Sequence, residues 1–152
     1  MPQTFIDIHR LQNLLDKDEI RELLFRYAEY VDRKQFADWA ACFTEDVRIT
    51  MPFASHEGQE GLEEWGRNGL SHYEVTEHLY GNIQIVVNGD HATGRSNFWA
   101  ACTNSRADLT RHFDEGGSYT WEFERGAQGW RISRLDLDVT WTTGDDETGL
   151  SG

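Results

Sequence analysis

Among the side chains capable of proton transfer, three lie in apolar company in the sequence: Tyr27, Asp32 and His78. An imidazole has an ordinary pKa of about 6.5, so it can take up or release a proton near neutral pH. A carboxylate that accepts a hydrogen bond from one imidazole nitrogen fixes the tautomer of the ring and stabilises its protonated form. A tyrosine hydroxyl can donate to an oxygen on which charge develops. These residue types indicate general acid–base catalysis, provided that the fold brings them together.

Asp32 and Tyr27 also have purely structural interpretations. Asp32 lies near the C-terminal end of a predicted long helix, and it would cap the next helix across the Arg33–Lys34 turn. Tyr27 lies on the apolar stripe of that helix, where a buried tyrosine commonly only bonds its hydroxyl to a partner. Sequence spacing alone leaves both interpretations open.

His78 begins a strand-like run, and its direction depends on the regularity of that strand. Strict alternation would place it on one face with Tyr80, Asn82 and Gln84. That face would line a wet pocket or lie toward solvent. Gly81 could mark a bulge that changes which face the following residues take. Periodicity therefore does not decide whether His78 is buried.

Other known chemistry finds little support in the sequence. The nucleophilic-serine, phosphate-loop, dinucleotide and HExxH motifs are absent. The remaining histidines do not occur with metal-ligand spacing, and neither do the two cysteines, Cys42 and Cys102. We therefore expect no metal and no organic cofactor.

Charge and composition exclude several partners. The chain has 152 residues, with 27 acidic and 14 basic side chains and a net charge of −13. Nucleic-acid binding needs clustered Lys and Arg, so nucleic acid is not an expected partner. No stretch approaches the roughly 20 apolar residues of a membrane span. Two cysteines make no disulfide framework, which favours a reduced, cytoplasmic location.

The elements that must position these side chains are helices followed by strands. Residues 5–43 have helical periodicity, with Asp16 or Asp18 as the expected N-cap of a second helical run. A short strand is predicted at 47–51, and four longer strands at 76–87, 92–103, 118–125 and 130–142, with a loop over 104–117. This order predicts an α+β fold with the helices on one face of a curved antiparallel sheet. Residues 1–143 would form one domain, and 144–152 an acidic tail.

This order of elements resembles the SnoaL-like branch of the nuclear transport factor 2-like superfamily. The stretches that carry the resemblance are Asp18–Tyr27, Val31–Val47, Thr76–Asn82, Val87–Gly94 and Gly129–Ile132. The resemblance implies a cone-shaped barrel, in which a strongly bent sheet wraps around the N-terminal helices and leaves an apolar pocket. It spans nearly the whole chain.

The resemblance also implies a catalytic dyad. In scytalone dehydratase, bile acid 7-alpha-dehydratase and hexachlorocyclohexane dehydrochlorinase, an Asp at the end of the long helix pairs with a His on the following long strand. Asp32 and His78 fall at those positions, and Tyr27 matches a tyrosine with which the bile acid enzyme contacts its substrate. The chain departs from these relatives at Ala100 and Cys102, where two of them carry a further acid–base residue.

We therefore expect a cofactor-independent lyase or isomerase that acts on a small hydrophobic cyclic substrate, with dehydration preferred. His78 would be the base, Asp32 would orient it, and Tyr27 would donate a hydrogen bond. The expected pocket walls are aromatic: Trp39, Phe53, Trp99, Tyr119, Trp121 and Trp141. The alternatives are a non-catalytic ligand-binding or assembly module, a polyketide cyclase, or an epoxide hydrolase. The outer sheet face would permit a homo-oligomer, a dimer or a trimer.

Overall fold

A computed structural model describes residues 6–145 and has helices packed on one face of a curved sheet. The predicted α+β class is confirmed. The tail predicted over 144–152 lies outside the described residues, apart from its first two. The elements in chain order are α1 (Ile8–Asp32), α2 (Phe36–Ala40), β1 (Phe43–Thr50), β2 (Ser55–Glu57), α3 (Leu62–Leu70), β3 (Val75–Asn88), β4 (His91–Thr103), β5 (His112–Gly126) and β6 (Gly129–Gly144).

Helix α1 is one continuous helix of 25 residues. Its N-cap is Asp7, whose side chain accepts hydrogen bonds from the backbone amides of His9 and Arg10. The prediction of a cap at Asp16 or Asp18 is wrong, because the helix passes through both positions. Asp16 is instead buried against the end of β5. From Ile20 onward, the apolar stripe of α1 packs into the core.

The sheet has six strands in the order β2-β1-β6-β5-β4-β3, and it is not closed. Strands β3 to β6 form the predicted antiparallel meander. The expectation of a wholly antiparallel sheet is wrong at one place, since β1 runs parallel to β6. Strand β5 also begins earlier than predicted, so residues 112–117 are strand rather than loop. These residues pair with β4 along their whole length.

A bulge in β3 puts polar and apolar residues on the same face of the sheet. The register with β4 shifts between Gly81 and Gln84, and Asn82 between them has a left-handed φ of 51°. Before the bulge the inward side chains are Thr76, His78 and Tyr80, and after it they are Ile83, Ile85 and Val87. The bulge suggested by Gly81 is thus confirmed. Because of the bulge, His78 faces the helices, and the apolar residues later in the same strand face them too.

A second register shift occurs between β5 and β6. Gly116 pairs with Trp141, whereas the next residue, Gly117, pairs with Val139. Leu135, Leu137 and Val139 pack against the core, but the shift turns Trp141 to the outer face. A Cβ at Gly116 would lie only 2.3 Å from the Trp141 ring, so glycine makes room there for the indole.

Among the described residues, no helix is both long and apolar enough to cross a membrane.

Candidate functional site

His78 and Asp32 meet where the C-terminal end of α1 packs against the start of β3. The distance between His78 Nδ1 and Asp32 Oδ1 is 2.7 Å. The backbone N–H of His78 donates to the other carboxylate oxygen, Asp32 Oδ2, at 2.9 Å. The His78 side chain is 9% exposed and that of Asp32 is 23% exposed. The two residues are therefore held together by two hydrogen bonds, largely out of water.

Two further side chains support the carboxylate. The Thr76 hydroxyl donates to Asp32 Oδ1 at 3.0 Å, and Lys34 Nζ donates to the Thr76 hydroxyl at 3.1 Å. Lys34 lies in the turn after α1 with a left-handed φ of 59°. Burial lowers the pKa of Lys34, while the neighbouring Asp32 favours its charged form. A cation, a hydroxyl and a carboxylate thus form a chain that ends on the imidazole.

This arrangement decides the interpretation of Asp32. The N-cap residue of α2 is Gln35, which makes no side-chain capping bond. The Asp32 carboxylate instead accepts hydrogen bonds from Thr76 and His78 of β3, so the capping interpretation is wrong. An ionised carboxylate only accepts hydrogen bonds, so the imidazole hydrogen lies on Nδ1 of the neutral ring. The other nitrogen, Nε2, then carries a lone pair that can accept a proton.

The imidazole borders a cavity of about 270 Å³ between the helices and the sheet. Most of its wall is apolar, formed by residues such as Val31, Met51, Trp65, Leu70 and Leu137. The polar side chains on the wall include Tyr27, Asn68, His78, Glu115 and Tyr119. This volume is just below the range of about 300–1,000 Å³ that is typical of ligand pockets. The arrangement suits a small apolar molecule with few polar groups.

Tyr27 lies at the centre of an aromatic cluster beside this cavity. Its ring contacts those of Trp39, Tyr80 and Trp121, with centroids 5.7–6.2 Å apart. Burial raises the pKa of Tyr27 well above its ordinary value. The phenol therefore keeps its proton at any physiological pH and is available as a hydrogen-bond donor. It cannot serve as a base.

The expected aromatic wall is only partly correct. Trp39, Phe53 and Tyr119 border the cavity. Trp121 is completely buried behind Tyr27, in the core beside the cavity. The predictions for Trp99 and Trp141 are wrong: both lie on the outer face of the sheet, 53% and 44% exposed. Strand alternation turns Trp99 outward between two buried neighbours, and the shift in β6 turns Trp141 outward.

Glu115 is a cavity residue that sequence reasoning missed. It lies in β5, on a segment predicted to be a loop, and it borders the same cavity as His78. Alternation counted back from Tyr119 through the glycine pair would have indicated an inward direction, had the strand been predicted to begin at 112. The position directly opposite His78 on β4 is Ala100, and Cys102 pairs with Thr76.

Two other candidates do not contribute chemistry to the cavity. Burial, reinforced by the Glu115 charge, raises the pKa of the Cys102 thiol to about 12, so it is not a thiolate near neutral pH. Arg95 is exposed on the outer face of β4 and does not border the cavity. Within residues 6–145, no group of three or more His, Cys, Asp or Glu side chains could hold a metal ion.

Comparison with known proteins shows the family to which the chain is similar. The model of the SnoaL-like domain family matches residues 12–136. An uncharacterized protein of Mycobacterium tuberculosis strain H37Rv is 30% identical over 126 residues, which cover 78% of this chain and 82% of that protein. An uncharacterized protein of Mycobacterium bovis matches with the same identity and coverage.

Solved structures show the same fold. A protein of Novosphingobium aromaticivorans described as a candidate scytalone dehydratase superposes with a TM-score of 0.80 at 23% identity, covering 88% of this chain and 90% of that one. A type 2 hexachlorocyclohexane dehydrochlorinase superposes with a TM-score of 0.79 at 22% identity, covering 91% and 94%. At this level of identity, the structural similarity shows a shared fold and does not show a shared activity.

Proposed function

The chain belongs to the SnoaL-like domain family of the nuclear transport factor 2-like superfamily, and from that premise we propose that it is a cofactor-independent lyase or isomerase. Its substrate is a small hydrophobic cyclic compound, and its reaction is the removal of a carbon-bound proton, with elimination of water preferred. The observation that carries the proposal is the His78–Asp32 pair, whose imidazole borders an apolar cavity.

His78 is the general base. Its Nε2 lone pair takes a proton from a carbon next to an activating carbonyl group, and the imidazolium that forms is stabilised by Asp32 at 2.7 Å. The second bond, from the His78 backbone to Asp32 Oδ2, keeps the carboxylate in place during the transfer. Base catalysis by a positioned side chain contributes about 10²–10⁴-fold to the rate.

Tyr27 stabilises the charge that proton removal creates. Its hydroxyl remains protonated and belongs to the cavity wall, so it can donate to a developing enolate oxygen. The low-dielectric surroundings formed by the neighbouring rings strengthen such a hydrogen bond. A substrate bound between Tyr27 and His78 would present its carbonyl oxygen to the phenol and its acidic C–H group to the imidazole.

The size of the cavity limits the substrate. A volume of about 270 Å³ favours one or two fused rings over a four-ring steroid nucleus. A histidine exposed on the outer face of the sheet would have favoured the non-catalytic alternative. The inward direction and 9% exposure of His78 support a catalytic role instead.

The test is turnover of a bicyclic β-hydroxy ketone, 3-hydroxy-1-tetralone, which loses water to give 1-naphthol. We expect the wild-type protein to accelerate the formation of 1-naphthol, which is measured by the fluorescence of this product. Replacing His78 by Gln should lower kcat by about 10²–10⁴-fold, because the side chain keeps polarity but loses the proton acceptor. Gln substitution at exposed His91, at the far end of the same sheet, is the matched control and should leave kcat unchanged.

A wild-type protein that does not accelerate elimination from this ketone or from its monocyclic analogue 3-hydroxycyclohexanone would contradict the proposal. Equal rates in the wild type and in the His78 variant would contradict the role of His78.

We also propose that the chain forms a homo-oligomer, a dimer or a trimer, through the outer face of the sheet. Leu79, Trp99 and Trp141 form an exposed apolar row there across the paired strands, and the two indole rings are 6.1 Å apart. Rows of exposed large apolar side chains are typical of interfaces. A cytoplasmic location, and the absence of a nucleic-acid partner, stay predictions.

Replacing Trp99 by Glu should shift the protein toward the monomer, because a charge at the centre of the row would have to be desolvated in the interface. Light scattering coupled to size-exclusion chromatography measures the mass directly. The Thr93→Glu variant, on an exposed site of the same strand, is the control. A wild-type protein that is monomeric at high micromolar concentration would contradict the interface.

A further inference from the structure

The cavity contains a second ionisable group beside the histidine. Glu115 lies on β5, two strands away from His78, and the two residues belong to one cross-strand row: His78 pairs with Ala100, and Ala100 pairs with Glu115. Both end residues of this row border the cavity. They therefore approach the same bound molecule from two sides.

Ala100 makes this approach feasible. Neighbouring strands lie about 4.8 Å apart, so the Cα atoms of His78 and Glu115 are separated by roughly 10 Å. The completely buried residue between them contributes only a methyl group. Ala100 therefore places no polar or bulky group between the two longer side chains of the row. A substrate bound at this wall would present two adjacent carbons to them, one bearing the proton and the other the leaving group.

Glu115 places a carboxyl group on the same wall. This group is half-buried at a cavity whose wall is mostly apolar. Glu115 lies near Tyr119, since the charge of the ionised Glu115 carboxyl group adds to burial in raising the pKa of Tyr119. The same charge acts on Cys102 on the adjacent strand. The carboxyl group therefore lies close to the polar groups on this wall.

We propose that Glu115 is the general acid of the reaction and that the leaving group is a hydroxyl. This inference rests on the proposed elimination by His78. It adds the residue that protonates the leaving group, since a hydroxyl leaves readily only when it receives a proton, whereas chloride leaves as a stable anion without one. The preferred substrates are β-hydroxy ketones rather than alkyl halides.

The step balances as a dehydration. His78 Nε2 takes the proton from the carbon next to the carbonyl group, and the electron pair of that C–H bond forms the new C=C bond. The bond from the neighbouring carbon to oxygen breaks, and that oxygen takes the proton of the Glu115 carboxyl group and departs as water. The imidazolium and the carboxylate then return to their starting forms by a net proton transfer from His78 to Glu115, through water that enters after product release.

The experiment compares two leaving groups in Glu115→Gln. The probes are 3-hydroxy-1-tetralone and 3-chloro-1-tetralone, with the spontaneous rate subtracted for each. We expect kcat for the hydroxyl compound to fall by about 10²–10³-fold and kcat for the chloride to change by less than about 3-fold. Glu122→Gln is the matched control, because Glu122 is an exposed residue of the same strand. It should leave both rates unchanged.

The retained chloride activity also shows that the variant is folded. Glu115→Asp, which keeps the acid but shortens it by one methylene group, should retain more hydroxyl elimination than the Gln variant. Equal loss of both activities in a folded Gln variant, or equal hydroxyl elimination in the Gln variant and the wild type, would overturn the role of Glu115. If His78→Gln does not lower the rate with either probe, the proposed function fails instead.

Discussion

Replacing Asp32 by Asn is expected to lower kcat by about 10²–10⁴-fold while substrate binding changes little. The amide has nearly the shape of the carboxylate, so the fold at the end of α1 is retained. The negative charge that stabilises the imidazolium is lost, and the amide no longer enforces a hydrogen on Nδ1 at 2.7 Å. Both effects act on the base rather than on the cavity wall. Initial rates with 3-hydroxy-1-tetralone, analysed as kcat and KM separately, measure this outcome.

Thr76 provides the matched comparison for this variant. Its hydroxyl links Lys34 to Asp32, but it does not touch the imidazole through a hydrogen bond in the part of the chain that the structure describes. In the Thr76→Val variant, the side chain at position 76 keeps its shape and Asp32 keeps its carboxylate. We therefore expect kcat to fall by no more than about 10-fold. A larger effect of Thr76→Val than of Asp32→Asn would contradict the assignment of Asp32 as the residue that orients His78.

The part of the site that the sequence predicted well is the part fixed by local pattern and by resemblance. Helical periodicity placed Tyr27 on the apolar stripe of one helix and Asp32 near the C-terminal end of that helix, and the strand signal placed His78 at the start of β3. The meander of four strands followed from its turn residues. These features depend on residues that are near one another in the chain.

The part that the sequence did not predict depends on register. Trp141 has the same spacing as the inward Leu135 and Leu137, and only the shift opposite Gly116 and Gly117 turns it outward. Glu115 was missed for a related reason, because the two glycines beside it indicated a loop rather than a strand. A bulge changes the direction of every residue that follows it, so pairing partners must be known before inward and outward residues can be separated.

A network around Asp16 ties the middle of α1 to β5 and β6. The Asp16 carboxylate is 5% exposed and accepts from Arg125 Nη1 at 2.5 Å and from Trp130 Nε1 at 3.3 Å. The Arg125 guanidinium also lies over the Trp130 ring, 5.0 Å from its centroid. The local sequence indicates only a cap at Asp16, because Arg125 and Trp130 are more than 100 residues away.

Removing the arginine should therefore destabilise the fold strongly. In Arg125→Met, the buried carboxylate keeps Trp130 and Gln12 as donors but loses its only charged partner among residues 6–145. We expect the free energy of unfolding to fall by about 2–3 kcal/mol, below the loss of about 3–5 kcal/mol for a fully buried pair because Arg125 is 30% exposed. Urea denaturation followed by tryptophan fluorescence measures the change.

Two further variants distinguish the effect of leaving the Asp16 charge unpaired from the effect of losing an arginine side chain. The double variant Asp16→Asn/Arg125→Met should be more stable than Arg125→Met alone, because it no longer buries an unpaired carboxylate. Arg134→Met removes an exposed arginine that pairs with Asp136 at 2.8 Å, and it should cost less than about 1 kcal/mol. Equal losses in Arg125→Met and Arg134→Met would show that the Asp16 charge is not buried in solution, and the network would then not be what anchors α1 to the sheet.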